Sequence, residues 1–169
     1  APVAVFALAL LVAGCGATRT SAPVGDTSGE HLVVFNSDRG NPGHFALYLW
    51  DLDQAGFHAL RGIGATTPEG EPCLSGDGRF VAYTAPGAAA GDTEVVIYDR
   101  LDERVLDVAE LKSGHVERRP RFTGDGLRLA FERDTLGAAR VRLYESTSHR
   151  YVLLPGLDDA GTNDDGQPS

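Results

Sequence analysis

The chain has 169 residues, 42% of them hydrophobic and 23% charged, with 21 glycines. That is a globular composition with frequent turns, long enough for one domain with a sizeable core. A formal net charge of −9 excludes the basic footprint of a nucleic-acid binder, so no nucleic-acid partner is expected.

Residues 1–14, APVAVFALALLVAG, carry no charge and are nearly all apolar. A membrane-spanning helix needs about 20 such residues, so the segment fits the apolar region of a secretory signal instead. No basic leader precedes it and the chain has no methionine, so the true N-terminus is expected to lie upstream. Val12-Ala13-Gly14-Cys15 resembles the lipobox of bacterial lipoproteins, an aliphatic residue and two small ones before the cysteine that takes the lipid. The resemblance implies lipid attachment at Cys15, removal of residues 1–14 as a signal peptide, and a polar tether over residues 15–30. It also places the mature protein outside the cytoplasm, held to a membrane through lipid on Cys15. Gly16 is not the aspartate that retains lipoproteins at the inner membrane, which favours the outer membrane where the cell has one. An ordinary signal peptide with Cys15 incidental is the alternative.

From residue 31 the chain repeats itself. EPCLSGDGRFVAY (71–83) returns as RPRFTGDGLRLAF (119–131), with Pro72 and Pro120, Asp77 and Asp125, and Ala82 and Ala130 each 48 positions apart. One period earlier than Tyr83 stands Phe35, at the end of HLVVF. Within each unit the periodicity is two, which predicts strands. A bulky face carries Val33 and Phe35, then Val81 and Tyr83, then Leu127, Leu129 and Phe131. The opposite face carries Val34, Ala82 and Ala130, small enough for a neighbouring sheet to approach. A second strand in each unit ends in an aromatic-acid pair: Trp50-Asp51, Tyr98-Asp99, Tyr144-Glu145. A third strand is expected in GFHALRG, ERVLDVAEL and HRYVLLPG, and a fourth in the short CLS and RFT segments after each proline. No stretch has a helical stripe.

Several residues invite a chemical reading. Asp77-Gly78 and Asp125-Gly126 read as turns, the aspartate accepting backbone N–H bonds and the glycine taking a positive φ. One acid per turn is too few for calcium. The tail acids Asp158, Asp159, Asp164 and Asp165 lack the spacing of a calcium loop, so no metal or cofactor is expected. Cys73 stands where the next unit has Arg121, which suits a structural thiol rather than a nucleophile. The basic run ERRPR (117–121) reads as a solvated turn. His31, His44, His58, His115 and His149 do not recur at equivalent positions and read as surface or strand residues. No G-x-S-x-G, H-E-x-x-H or paired CxxC is present, and no catalytic residue is assigned.

Four short antiparallel strands per unit, at a period just under 50, describe β-propeller blades. SGDGRFVAYT, TGDGLRLAFE and FNSDRGNPGHFALYLWDLD resemble the repeat of TolB-like β-propellers over residues 31–169, with Gly76 and Gly124 where that family usually has proline. The substitution is expected to loosen the turn without redirecting it. The fold class is therefore all-β: about three four-stranded blades in an open arc. The resemblance implies a non-enzymatic module that binds another protein of the cell envelope. The alternative is a non-catalytic propeller within a larger enzyme, a prolyl-oligopeptidase-type peptidase or a polysaccharide lyase. Pro168 falls 48 positions beyond Pro120, so a further blade is expected to begin there, and the chain reads as a gene fragment.

Overall fold

The computed structural model describes residues 31–63, 70–135, 137–146 and 148–154. They form eleven strands: β1 Leu32–Ser37, β2 Ala46–Asp51, β3 Gly56–His58, β4 Gly70–Leu74, β5 Phe80–Pro86, β6 Thr93–Asp99, β7 Arg104–Val105, β8 Val116–Phe122, β9 Arg128–Thr135, β10 Ala138–Glu145 and β11 Arg150–Val152. The one helical element among them is a single 3-10 turn, Ala109–Leu111. Within each unit every pairing is antiparallel, giving β1-β2-β3, then β4-β5-β6-β7, then β8-β9-β10-β11. A single parallel bridge, Thr93 to Val116, connects the second sheet to the third. This is a partial β-propeller of three blades. The residues one period before β4 lie outside the described residues.

The inner strands β4 and β8 begin earlier than the sequence predicts, and each takes its proline inside the strand. Both carry a register shift, between Gly70 and Cys73 and between Arg118 and Arg121. At the shift Glu71 and Arg119 adopt φ of 50° and 56°, the signature of a bulge. Pro72 and Pro120 follow at once, where the broken ladder needs no N–H. The ERRPR run is therefore strand β8 and not a solvated turn. Glu117 and Pro120 within it are buried, while Arg118, Arg119 and Arg121 are exposed. Alternation about a bulge, in a strand rich in charge, hides this from pattern reading.

The outermost strands are shorter than expected. In ERVLDVAEL only Arg104–Val105 pairs, and the rest turns inward to bury Val108 and Leu111. Leu127 departs from its predicted place on the bulky face of β9. It lies in the turn before that strand, 46% exposed.

The core consists of the two spaces between blades. Val81, Tyr83 and Tyr98 of the second blade pack on Leu47 and Val34 of the first. Ala82, Val95 and Ile97, on the second blade's other face, meet Leu129, Phe131 and Tyr144 of the third. Bulky side chains of each later blade thus rest on the smaller face of the earlier one. Side chains such as Leu129 and Phe131, 1% and 2% exposed, each contribute about 2 kcal/mol on burial.

Candidate interaction surface

One end of the arc gathers the turns that recur at the 48-residue period. Strand register places the Asp-Gly turns and the β2–β3, β6–β7 and β10–β11 hairpins together, since Phe80 pairs with Asp99 and Arg128 with Glu145. In the turn after β4, Asp77 accepts a bond from Ser75 Oγ at 2.6 Å and another from Arg79 N at 3.1 Å. The turn after β8 repeats this with Thr123 Oγ1 at 2.5 Å and Leu127 N at 3.0 Å. Gly78 and Gly126 take φ of 74° and 70°. Both Asp-Gly pairs therefore hold turns, as their sequence implies.

Gly76 does something else. A Cβ placed on it would lie 2.1 Å from the carbonyl oxygen of Gly124. The absent side chain makes room at this turn. It lets the neighbouring blade's turn come into contact, a place that proline could not occupy.

The acid of each aromatic-acid pair caps its hairpin. Asp51 Oδ1 accepts from Asp53 N and Gln54 N at 2.7 and 2.9 Å, and Oδ2 meets His58 Nε2 at 3.1 Å. The Gln54 N–H and then His58 hold this carboxyl below the usual aspartate range. Asp99 accepts from Leu101 N at 3.0 Å and Asp102 N at 3.4 Å, and Arg79 bonds it through Nε and Nη2. Burial pushes Asp99 up, but Arg79 and the two N–H groups outweigh it and hold the carboxyl low. Glu145 does the same work more openly, with Arg128 Nε at 3.3 Å and Ser148 Oγ at 2.9 Å. Each hairpin then enters its last strand through a residue of positive φ: Ala55 at 50°, Glu103 at 49° and His149 at 54°. None is glycine or asparagine, so composition carries no sign of this shared conformation.

Between the second and third blades, at this end, lies a cleft of about 220 Å³. Phe80, Ile97, Leu106, Val108 and Phe122 form its apolar floor, and Arg79, Asp99, Asp102, Arg104 and His149 its rim. His149 Nδ1 lies 2.9 Å from Tyr144 Oη, which fixes the ring at the edge.

Deeper in the same interface sits a polar cluster that pattern reading missed. Glu117 is fully buried and accepts bonds from Val95 N, Ser113 Oγ and the Nε and Nη2 of Arg133, at 2.8–3.1 Å. Arg133 also donates to the Glu110 carbonyl and bonds Tyr151 Oη. Burial pushes the Glu117 carboxyl up against these partners.

The remaining singled-out residues are dispersed. Cys73 is a half-buried free thiol whose Sγ accepts the Phe122 N–H at 3.4 Å, a structural contact between inner strands. His31 pairs with Asp53 at 3.0 Å on the surface, and His44 is exposed. Among the described residues no three His, Cys, Asp or Glu side chains group to hold a metal. Nor is any helix there long and apolar enough to cross a membrane. Cys15 and the acids Asp158, Asp159, Asp164 and Asp165 lie outside the described residues.

No family model and no curated protein matches the chain in sequence. Its fold matches a number of solved structures, two TolB proteins among them. TolB from Acinetobacter baumannii superposes with a TM-score of 0.54 at 19% identity, over 72% of this chain and 31% of that one. A putative TolB from Agrobacterium tumefaciens gives 0.54 at 16% identity, over 72% of this chain and 44% of that one. At these identities the likeness is one of fold, a TolB-like β-propeller, and the chain spans less than half the length of either neighbour.

Proposed function

We propose that the chain is a protein–protein interaction module of the bacterial cell envelope, tethered to a membrane by lipid on Cys15. Its binding end is the one that carries the acid-capped hairpins. The observation that carries this reading is the cleft between the second and third blades. Small-molecule sites typically enclose about 300–1,000 Å³, so a cleft of about 220 Å³ suits one or two side chains of a partner protein. Its floor takes an apolar anchor, and a rim bearing both signs of charge selects polar groups around it. The TolB-like fold supports the same class of role, since propellers commonly present ligands to the loops at one end of the ring.

A photoreactive phenylalanine at position 149, in the full chain in its host, tests the binding end. A discrete protein adduct is expected there and none from position 89, in the loop at the opposite end. Equal adducts from both positions, or none, contradict the reading. The tether is tested separately with labelled palmitate, expected on the wild-type chain and absent from Cys15→Ser. One acyl chain binds membranes only marginally whereas two anchor stably, so the labelled chain is expected to stay with the membrane in high salt.

A further inference from the structure

The two spaces between blades reach the hairpin end of the arc with different residues at equivalent places. Over the first, Arg61 Nη1 of the first blade crosses to Glu103 Oε2 of the second at 3.3 Å. Glu103 holds the positive-φ position of its hairpin. Over the second, the equivalent places are Ala109, one 48-residue period beyond Arg61, and His149, at the matching φ of 54°. Alanine brings no donor to cross the gap, and histidine stands where the earlier hairpin has a carboxylate. His149 lines the cleft described above.

The hydrogen bonds around that cleft leave donors over. The Tyr144 hydroxyl, in a residue 1% exposed, lies 2.9 Å from His149 Nδ1 and has no other partner among the described residues. Its proton therefore goes to Nδ1, which leaves the ring N–H on Nε2 of this exposed histidine. Arg104 bonds Asp102 through Nε and Nη2, and Arg79 bonds Asp99 through the same two atoms. Neither Nη1 has an acceptor among the described residues. Both acids of the rim thus already accept from a rim arginine, while two arginines and a histidine retain N–H groups above an apolar floor.

We propose that the cleft receives an acidic segment of a partner protein, an inference that rests on the cleft being the binding end. An apolar side chain of the segment seats against Phe80 and Phe122, whose ring centroids are 6.3 Å apart. An Asp or Glu beside it accepts from His149 Nε2 and Arg104 Nη1, so the partner supplies over the second space the carboxylate that Glu103 supplies over the first. Arg104 belongs to the second blade and His149 to the third, so the segment crosses the gap with its acid on a side chain in mid-chain. Bonds from charged donors to a carboxylate are the strong ones. The net charge of −9 does not decide the contact, because exposed charges beyond about 8 Å are largely screened at physiological salt.

The test is photo-cross-linking from position 146, on the cleft wall, in the full chain in its host, followed by sequencing of the attached peptide. An adduct of any kind bears on the binding end, whereas the sequence of the attached segment bears on this inference. An apolar residue beside Asp or Glu is expected. A synthetic peptide of that segment should bind the purified full chain at least about 10-fold more tightly than its Asn or Gln version. Arg104→Gln and His149→Phe should each reduce that ratio to about 3-fold or less. Lys112→Gln removes the same charge as Arg104→Gln away from the cleft and should leave the ratio unchanged. The ratio compares two peptides on one protein, so a variant's lost stability does not move it. A captured segment without an acid, one rich in Lys or Arg, or one held by its chain end overturns the acidic partner and leaves the binding end standing. Equal affinities for the two peptides, or a ratio that falls as far in Lys112→Gln, overturn it as well. No adduct at all overturns both.

Discussion

The two spaces between blades are built on one plan and filled differently. Between the first and second blades Leu47, Val81, Tyr83 and Tyr98 make an apolar seam. Between the second and third, an equally apolar cluster surrounds Glu117, whose bonds reach Val95, Ser113 and Arg133. An apolar seam is held by area and tolerates sliding by a fraction of a side chain. A buried carboxylate with four donors has one position, so the second seam has a fixed register. The cleft between the second and third blades opens over that second seam, where the flanking blades are locked.

The sharpest way to break the contrast is to remove one partner of the buried pair. Arg133→Met leaves Glu117 charged and without its counter-ion, and is expected to cost about 3–5 kcal/mol in a urea titration. Glu117→Leu combined with Arg133→Met should recover most of that loss, since the seam then resembles the first one. A double variant as unstable as the single one would show that the cluster supplies more than charge balance.

Next comes the contact between turns. Gly76→Ala drives a methyl into the Gly124 carbonyl and is expected to cost about 1–3 kcal/mol. Gly124→Ala points into open space and should be near neutral. Equal costs would mean that the two turns do not touch.

The smallest effect separates the acid-capped hairpins. The Arg128–Glu145 pair is more open than Arg79–Asp99, with side chains 48% and 26% exposed, so Arg128→Met should change stability by about 0–1 kcal/mol. Arg79→Met is expected to cost more at neutral pH, because Asp99 is 2% exposed. Asp99 is held below its ordinary value of 3.8. Its contribution is therefore complete above that value and fades as pH falls through the lower folded one. The gap between wild type and Arg79→Met should narrow on acidification, read from unfolding curves at descending pH. A gap independent of pH would assign the role of Arg79 to packing alone, as its position over the Phe80 ring at 4.8 Å would allow.

How much of this was legible follows from what repeats and what does not. The 48-residue period, the two-residue alternation and the aromatic-acid pairs are visible because identical or similar residues return, and they describe the blades and their hairpins. The small-against-bulky packing of Ala82 on Leu129 and Phe131 was legible for the same reason. The positive-φ positions 55, 103 and 149 were not, because Ala, Glu and His fill them and only the backbone is shared. Glu117 was hidden among arginines that face solvent. Its burial depends on Val95 and Arg133, distant in sequence, which no local pattern reports. The cleft was invisible for a related reason: its floor and rim are drawn from two blades, and neither half is a motif by itself.

The bulge on the inner strands has a consequence for how such a chain can change over generations. Glu71 and Arg119 occupy the same place in successive units, and Arg119 N donates to Glu71 Oε2 at 2.6 Å. The donor is main chain, so the latch does not depend on the side chain at position 119, although proline lacks the N–H and β-branched residues are disfavoured at its φ of 56°. The acceptor is a side chain, so position 71 must keep an oxygen at that reach. A unit copied whole would therefore inherit a rule that binds the earlier copy and releases the later one. Arg119 shows the released state. Its guanidinium carries no acceptor and pairs with Glu132 within its own blade, so the inner edge of the third blade is free to diverge without loosening the second.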